Sequence, residues 1–181
     1  VPIKEALVIK SFDRVFERMV DQLIGDRDKL TKLKTQKDGK LIDHIYLDKS
    51  LIGSKTSIYF IGDSKYYSDE LHPEGISLYK QFTYARNAIQ YNIEQYHLRT
   101  QKNPNAIRYR DEETEGYNIT PNFFIRPKIE IGNLDFCTPS FRPSGWEPKS
   151  SKHFEDRLFD RDTLLLREYN INLVFLIAAY G

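Results

Sequence analysis

Apolar residues recur near the start of the chain at alternating gaps of three and one: Phe12, Val15, Phe16, Met19, Val20, Leu23 and Ile24. That stripe predicts an amphipathic helix, with Ser11 placed to cap it and Gly25 to stop it. The period then changes. Leu30 to Gln36 reads as a strand, Asp38-Gly39 as a favoured two-residue hairpin turn, and "KLIDHIYLD" as the returning strand. A loop containing Gly53 leads into a third strand, Ile58 to about Lys65, completing a three-strand meander. Pro73 to Gly75 marks the entry to a second helix, near Ile76 to Tyr91. There Leu78, Phe82, Ala85 and Ile89 fall at helical spacing.

The second half is less regular. From Arg99 to Glu115 the chain is polar and reads as a loop or projecting hairpin. "NFFIRPKIEI" is strand-like, and its Pro127 argues for an edge position. Phe136 to Lys152, rich in Pro, Ser and Gly, reads as irregular linker. A short helix over about Asp160 to Tyr169 is expected before a last strand, "INLVFLIAAY", whose unbroken apolar run fits a strand covered on both faces. The order is helix, three-strand meander, helix, strand. This predicts one α/β domain over 1–181, with a mixed central sheet flanked by helices and an insertion around 99–152.

One place in this pattern asks for chemistry. The apolar strand beginning "SIYFI" runs into Asp63-Ser64-Lys65. A carboxylate and an ammonium at the end of a buried strand are costly unless they pair or form a site. Residues two apart on a strand share a face, so Asp63 and Lys65 project together and Ser64 projects oppositely. Asp43 lies on the preceding strand and can stand beside Asp63 if the two strands pair antiparallel. Two neighbouring carboxylates make a hard-oxygen pocket suited to Mg²⁺, for which Mn²⁺ can substitute. A lysine alongside can activate a water or offset charge developing on a phosphoryl group. The other reading of the same residues is an ion pair that closes a strand end. A carboxylate two before a lysine also occurs at Asp38-Gly39-Lys40 and Glu147-Pro148-Lys149, but only the Asp63 triplet follows an apolar strand with an acid on the strand before it. His44 should point away from Asp43 into packing.

Composition narrows the setting. The chain has 181 residues, 40% of them hydrophobic and 29% charged, with a net charge of +1. These figures suit one soluble domain with a substantial core. No apolar run approaches the roughly 20 residues that cross a bilayer. One cysteine, Cys137, excludes an internal disulfide and a cysteine-rich zinc site, and points to a reducing, cytoplasmic home. The chain begins with Val1 and has Met19 as its one methionine, so a piece of a longer protein is expected. Between Arg27 and Lys40 six Lys or Arg stand against two Asp. Such a run is either a solvated face or, through residues such as Lys32 and Lys34, a local attraction for phosphates. Arg108 and Arg110, either side of Tyr109, could grip a nucleic-acid backbone or simply face solvent. There is no Gly-x-x-x-x-Gly-Lys-Ser/Thr loop for nucleotide hydrolysis.

Asp43, then "GDSKYY", then "LYKQFTYA" resembles the PD-(D/E)XK nuclease superfamily. Within it, the chain looks most like the McrC and LlaJI-type subunits of nucleotide-dependent restriction systems. "VFERMVDQLI" is similar to their opening helix, and "FEDRLFDRDTLLLREYNINLVFLIAAY" carries a weaker likeness. Matching segments span about Phe12 to Ile89. The resemblance implies a restriction-endonuclease-like core, Asp43 and Asp63 as metal ligands, Lys65 as the catalytic lysine and Glu17 approaching the metal. It also implies a helix residue, Gln81 or Lys80, that meets phosphate or the attacking water. Two positions depart from the family pattern. Ile42 stands where a proline is expected, and Gln81 precedes Tyr84 by three residues where many relatives have four, the spacing that Lys80 occupies.

The function so implied is Mg²⁺-dependent cleavage of double-stranded DNA by the nuclease domain of a bacterial restriction system. An AAA+ GTPase or ATPase on another chain would be its motor, and a second copy would be needed to cut both strands. Two alternatives are a module of the same fold that binds DNA or a motor without cutting, and a repair or RNA nuclease.

Overall fold

The structure, a computed structural model, describes residues 10–26, 31–35, 41–49, 57–66, 74–99, 122–130, 134–150 and 165–180. In chain order the elements are α1 (Phe12–Ile24), α2 (Thr31–Lys34), β1 (His44–Lys49), β2 (Ser57–Ser64), α3 (Ile76–Arg99) and β3 (Asn122–Lys128). They continue with β4 (Arg142–Pro143), β5 (Lys149–Ser150), β6 (Leu165–Asn172) and α4 (Leu173–Tyr180). The strands form one mixed sheet in the order β1-β2-β3-β6-β4, with β5 also on β6. β1 runs antiparallel to β2, whereas β2, β3 and β6 are mutually parallel. The chain is therefore α/β with a mixed sheet flanked by helices.

Strand alternation builds two cores. Ile45, Tyr59, Ile61, Phe124 and Leu166 face α3, where Phe82, Tyr84, Ala85 and Ala88 meet them. Phe60, Phe123, Ile125 and Ile171 face the other way, onto Phe16, Met19 and Val20 of α1 and Leu173 and Leu176 of α4. Tyr46 and Phe60 oppose each other across β1 and β2 and stack with centroids 4.9 Å apart. Gly62 is required by this second core, because a Cβ there would lie 2.4 Å from the Phe123 ring.

Several expectations need correction. Ser11 does not cap α1 through its side chain. It sits at φ 58°, and its carbonyl accepts the Arg14 N–H at 3.1 Å. The first meander strand is replaced by the single turn of α2, followed by one bridge between Thr35 and Leu41. β3 is interior rather than an edge. The Ile125 carbonyl accepts the Lys65 N–H at 2.8 Å, so the nitrogen two residues on, that of Pro127, faces the space past the end of β2, where no ladder hydrogen bond is required. Residues 165–169, expected to be helical, begin β6; 160–164 lie outside the described residues.

The final apolar run is not a strand: Ile171 and Asn172 end β6, and Leu173–Tyr180 is helix α4. Asn172 makes the switch. Its Oδ1 accepts the N–H groups of Val174 at 3.1 Å and Phe175 at 3.4 Å, which is helix capping. Its Nδ2 donates to the carbonyls of Asp135 at 2.6 Å and Thr138 at 3.0 Å. The stretch around 99–152 supplies β3, β4 and β5 to the sheet. Among the described residues no helix is long and apolar enough to cross a membrane.

Asn172→Ala removes the cap and both carbonyl contacts together. It should lower unfolding free energy by about 1–2 kcal/mol in urea titrations at unchanged m-value, whereas an unchanged midpoint would show that α4 needs no cap.

Candidate active site at the carboxyl end of β2

The parallel strands β2, β3 and β6 end along one edge of the sheet, the edge where open α/β sheets bind ligands. β2 brings Asp63 there. The last ladder pair of β1 and β2 is His44↔Gly62, and one further step of the same register sets Asp43 across from Asp63. Asp43 itself lies in a bend immediately before β1, not within the strand as expected, because regular pairing stops at His44. Two contacts hold it in place of a ladder. Its Oδ2 accepts the Ser64 main-chain N–H at 3.1 Å, and its carboxyl group hydrogen-bonds that of Asp63.

This proximity is electrostatically expensive. Asp43 is pushed up to about 8, first by burial, then by the charges of Asp63 and Glu17 and the Asp63 hydrogen bond; the Ser64 N–H opposes the rise. The Asp43 carboxyl is thereby biased towards its protonated form, hydrogen-bonded to Asp63. Lys65 leaves the same face as Asp63, forms an ion pair with its Oδ2, and lies 5.5 Å from the Phe124 ring centroid. From α3, Lys80 extends over the Tyr84 ring at 5.4 Å to the centroid. Burial lowers the Lys80 ammonium, but Tyr84, Asp63 and Asp43 outweigh it and hold the pKa above its ordinary value. Burial raises the Tyr84 phenol, the two aspartates add to the rise, and Lys80 opposes it.

The expected site residues fare differently. Asp43, Asp63 and Lys65 come together, and the charge of Glu17, exposed on α1, is felt at Asp43. Among the described residues no three His, Cys, Asp or Glu side chains gather closely enough to hold a metal ion, so Glu17 does not complete a three-carboxylate cluster with the two aspartates. Lys80 lies within the field of the carboxylates. Gln81 instead turns inward to 1% exposure beside Asn122, whose side chain donates to the Gln81 carbonyl at 3.1 Å. Lys34, expected to meet phosphates, has its ammonium 2.7 Å from Asp21 Oδ1 and is held within the fold. The side chain of Lys32, and Arg108 and Arg110 entirely, lie outside the described residues.

Two features went unread in the sequence. Arg126 and Glu168, on the same sheet face as Asp63, form a buried pair at 3.3 Å; nothing local marks charges inside strands as partners. On the opposite face, the fully buried His44 has Nε2 2.7 Å from Ser64 Oγ and Nδ1 3.4 Å from Asp21 Oδ1. Alternation gave the signal for this second group, since His44 and Ser64 flank the two aspartates and both project away from them.

Two adjacent carboxyl groups, one buried and one half-buried, with an ammonium beside them, fit one small divalent cation. Mg²⁺ commonly takes one or two protein carboxylates and fills its other positions with water and phosphate oxygens. Compared with known proteins, the chain matches no family model, no curated protein and no solved structure.

A carboxyl whose pKa rises from 3.8 unfolded to about 8 folded binds its proton more tightly in the folded chain. Its contribution to stability is thus fully present below about pH 4 and lost as pH rises towards 8. Metal-free Asp43→Asn should accordingly melt above the unsubstituted protein at pH 8, by a few degrees or more, with the gap closing towards pH 4. A variant melting lower throughout would contradict the strain assigned to this pair.

Proposed function

We propose that this chain is a Mg²⁺-dependent endonuclease domain acting on double-stranded DNA, with a restriction-endonuclease-like core of the PD-(D/E)XK kind. The observation that carries the reading is Asp43 directly across from Asp63, with Lys65 on the same face at the carboxyl end of β2. Asp43 and Asp63 would hold the ion, which when bound polarises a phosphodiester and lowers the pKa of water. The remaining work falls to the chain. Ionised together, the two aspartates supply the negative charge that retains a divalent cation. Lys65, paired with Asp63 on the same face, would orient the attacking water and offset charge on the phosphoryl oxygens. Lys80 adds a second positive charge from α3 and draws the backbone phosphate towards the carboxylates. The water oxygen forms the new bond to phosphorus, the bond to the 3′-oxygen breaks, and that oxygen takes a proton. The products are a 5′-phosphate and a 3′-hydroxyl.

One such site cuts one strand, so a double-strand break requires a second copy. In a restriction system of McrBC or LlaJI type, an AAA+ subunit would supply movement along DNA and another domain would choose the sequence. The same site would serve a repair or RNA nuclease.

One observation favours a second reading, in which the fold binds DNA or a motor without cutting. Lys65 already neutralises Asp63, and no third acid closes the site among the described residues. Plasmid nicking with Mg²⁺ separates the readings. The cutting reading predicts nicking that falls at least about a hundredfold in Asp63→Ala and in Lys65→Ala, with DNA retention kept in Lys65→Ala. Undiminished nicking in either variant rejects the roles assigned. DNA retention with no nicking at all favours the binding module.

A further inference from the structure

The aspartates face α3, yet the groups that fix their spacing lie on the α1 side of the sheet. Regular pairing of β1 and β2 stops at His44↔Gly62, so no ladder bond sets Asp43 opposite Asp63. Its own partner is the Ser64 N–H at 3.1 Å. The orientation of that N–H depends on how the last residue of β2 is held, and Ser64 is held from below. Its Oγ lies 2.7 Å from Nε2 of His44, a ring with no exposed surface. The other ring nitrogen faces Asp21 of α1 at 3.4 Å. Burial pushes the Asp21 carboxyl up, but its bonds to His44 and Lys34 outweigh that and hold it at about 2, so it is an ionised acceptor. Nδ1 therefore donates to Asp21. The end of α1 is shaped for this contact: a Cβ at Gly25 would come 2.3 Å from Asp21 Oδ1 and 2.6 Å from the Asp21 carbonyl oxygen. Next to it, the Asp26 N–H is anchored on the Ile45 carbonyl of β1 at 2.9 Å.

We propose that Asp21, His44 and Ser64 form a latch that passes through the plane of the sheet, positioning Asp43 against Asp63 so that the two carboxyl groups stay together as one cation-binding pair. The latch answers a specific physical demand. When both ionise to hold a cation, two adjacent acids repel, and Asp43 sits in a bend where only side-chain and single main-chain contacts resist. Buried partners that orient the groups around a cation site typically change metal affinity by 10- to 100-fold when removed. These three are positioning residues: they touch neither ion nor substrate. The inference rests on the nuclease reading for the use of the pair, but the latch itself can be read without catalysis.

The experiment measures exchange of the residue-64 amide proton and Mn²⁺ affinity, by NMR and calorimetry, in the full chain and in Ser64→Ala, His44→Leu and His44→Gln. In Ser64→Ala and His44→Leu the residue-64 amide should exchange about tenfold faster, while the amides of Ile61 and Phe124 keep their protection. Mn²⁺ affinity should fall roughly tenfold, and His44→Gln, which can still reach Ser64, should recover part of both losses. A purely structural role would move all sheet amides together. Unchanged residue-64 exchange and Mn²⁺ affinity in folded variants overturn the latch, as does uniform loss of protection. If His44→Leu does not fold, Ser64→Ala decides alone. If the unsubstituted protein binds no Mn²⁺, the nuclease reading fails while residue-64 exchange still decides the latch: selective acceleration supports it and no change overturns it.

Discussion

The juxtaposition of a half-buried acid, Asp43, with a buried one, Asp63, is the constraint around which this end of the molecule is organised. Burial first, and then the charges of Asp63 and Glu17, push the Asp43 carboxyl up to about 8. A fold selected for stability alone would have an apolar pair across these strands. Here the sheet keeps the acids, supplies one ammonium from Lys65, and directs the field of a second from Lys80 towards them. Such stored electrostatic strain is characteristic of places where a bound charge completes the structure.

The rest of the architecture can be read as support for that edge. The antiparallel pairing of β1 with β2 fixes which residues oppose one another, and the parallel run of β2, β3 and β6 gathers their carboxyl ends at one side. The helix α3 covers the acid-bearing face with Phe82, Tyr84, Ala85 and Ala88, and so limits water behind the carboxylates. On the reverse face α1 and α4 seal the second core, and α1 also contributes Asp21. A single layer of sheet thus separates the paired acids from His44, Ser64 and Asp21 on its reverse face.

Much of this was legible in the sequence where periodicity and side-chain alternation act alone. The stripe from Phe12 to Ile24, the helix after Gly75 and the strand carrying Asp63 are all present, because each expresses one local pattern over many residues. Asp43 beside Asp63 followed from antiparallel pairing. Legibility failed where one side chain or a distant partner decides. "INLVFLIAAY" is apolar enough for a buried strand, but the capping carboxamide of Asn172 turns it into a helix after two residues. Pro127 looked like an edge marker, and it is tolerated inside the sheet because β2 has already ended beside it. Lys34, in a basic run that read as a solvated face or an attraction for phosphates, pairs with Asp21, 13 positions away, a partner no local pattern marks. Gln81, expected at the site, is 1% exposed on α3, about as buried as Asp63 itself.

The most direct test of a single cation held by this pair is paramagnetic broadening of the protein's NMR spectrum by substoichiometric Mn²⁺. The account predicts that signals of Asp43, Asp63, Ser64 and Lys65 fade first and together, with those of β6 surviving to higher metal. Broadening that begins instead at surface acids such as Glu130 and Asp135, or that spares Asp43 while affecting Asp63, would contradict it.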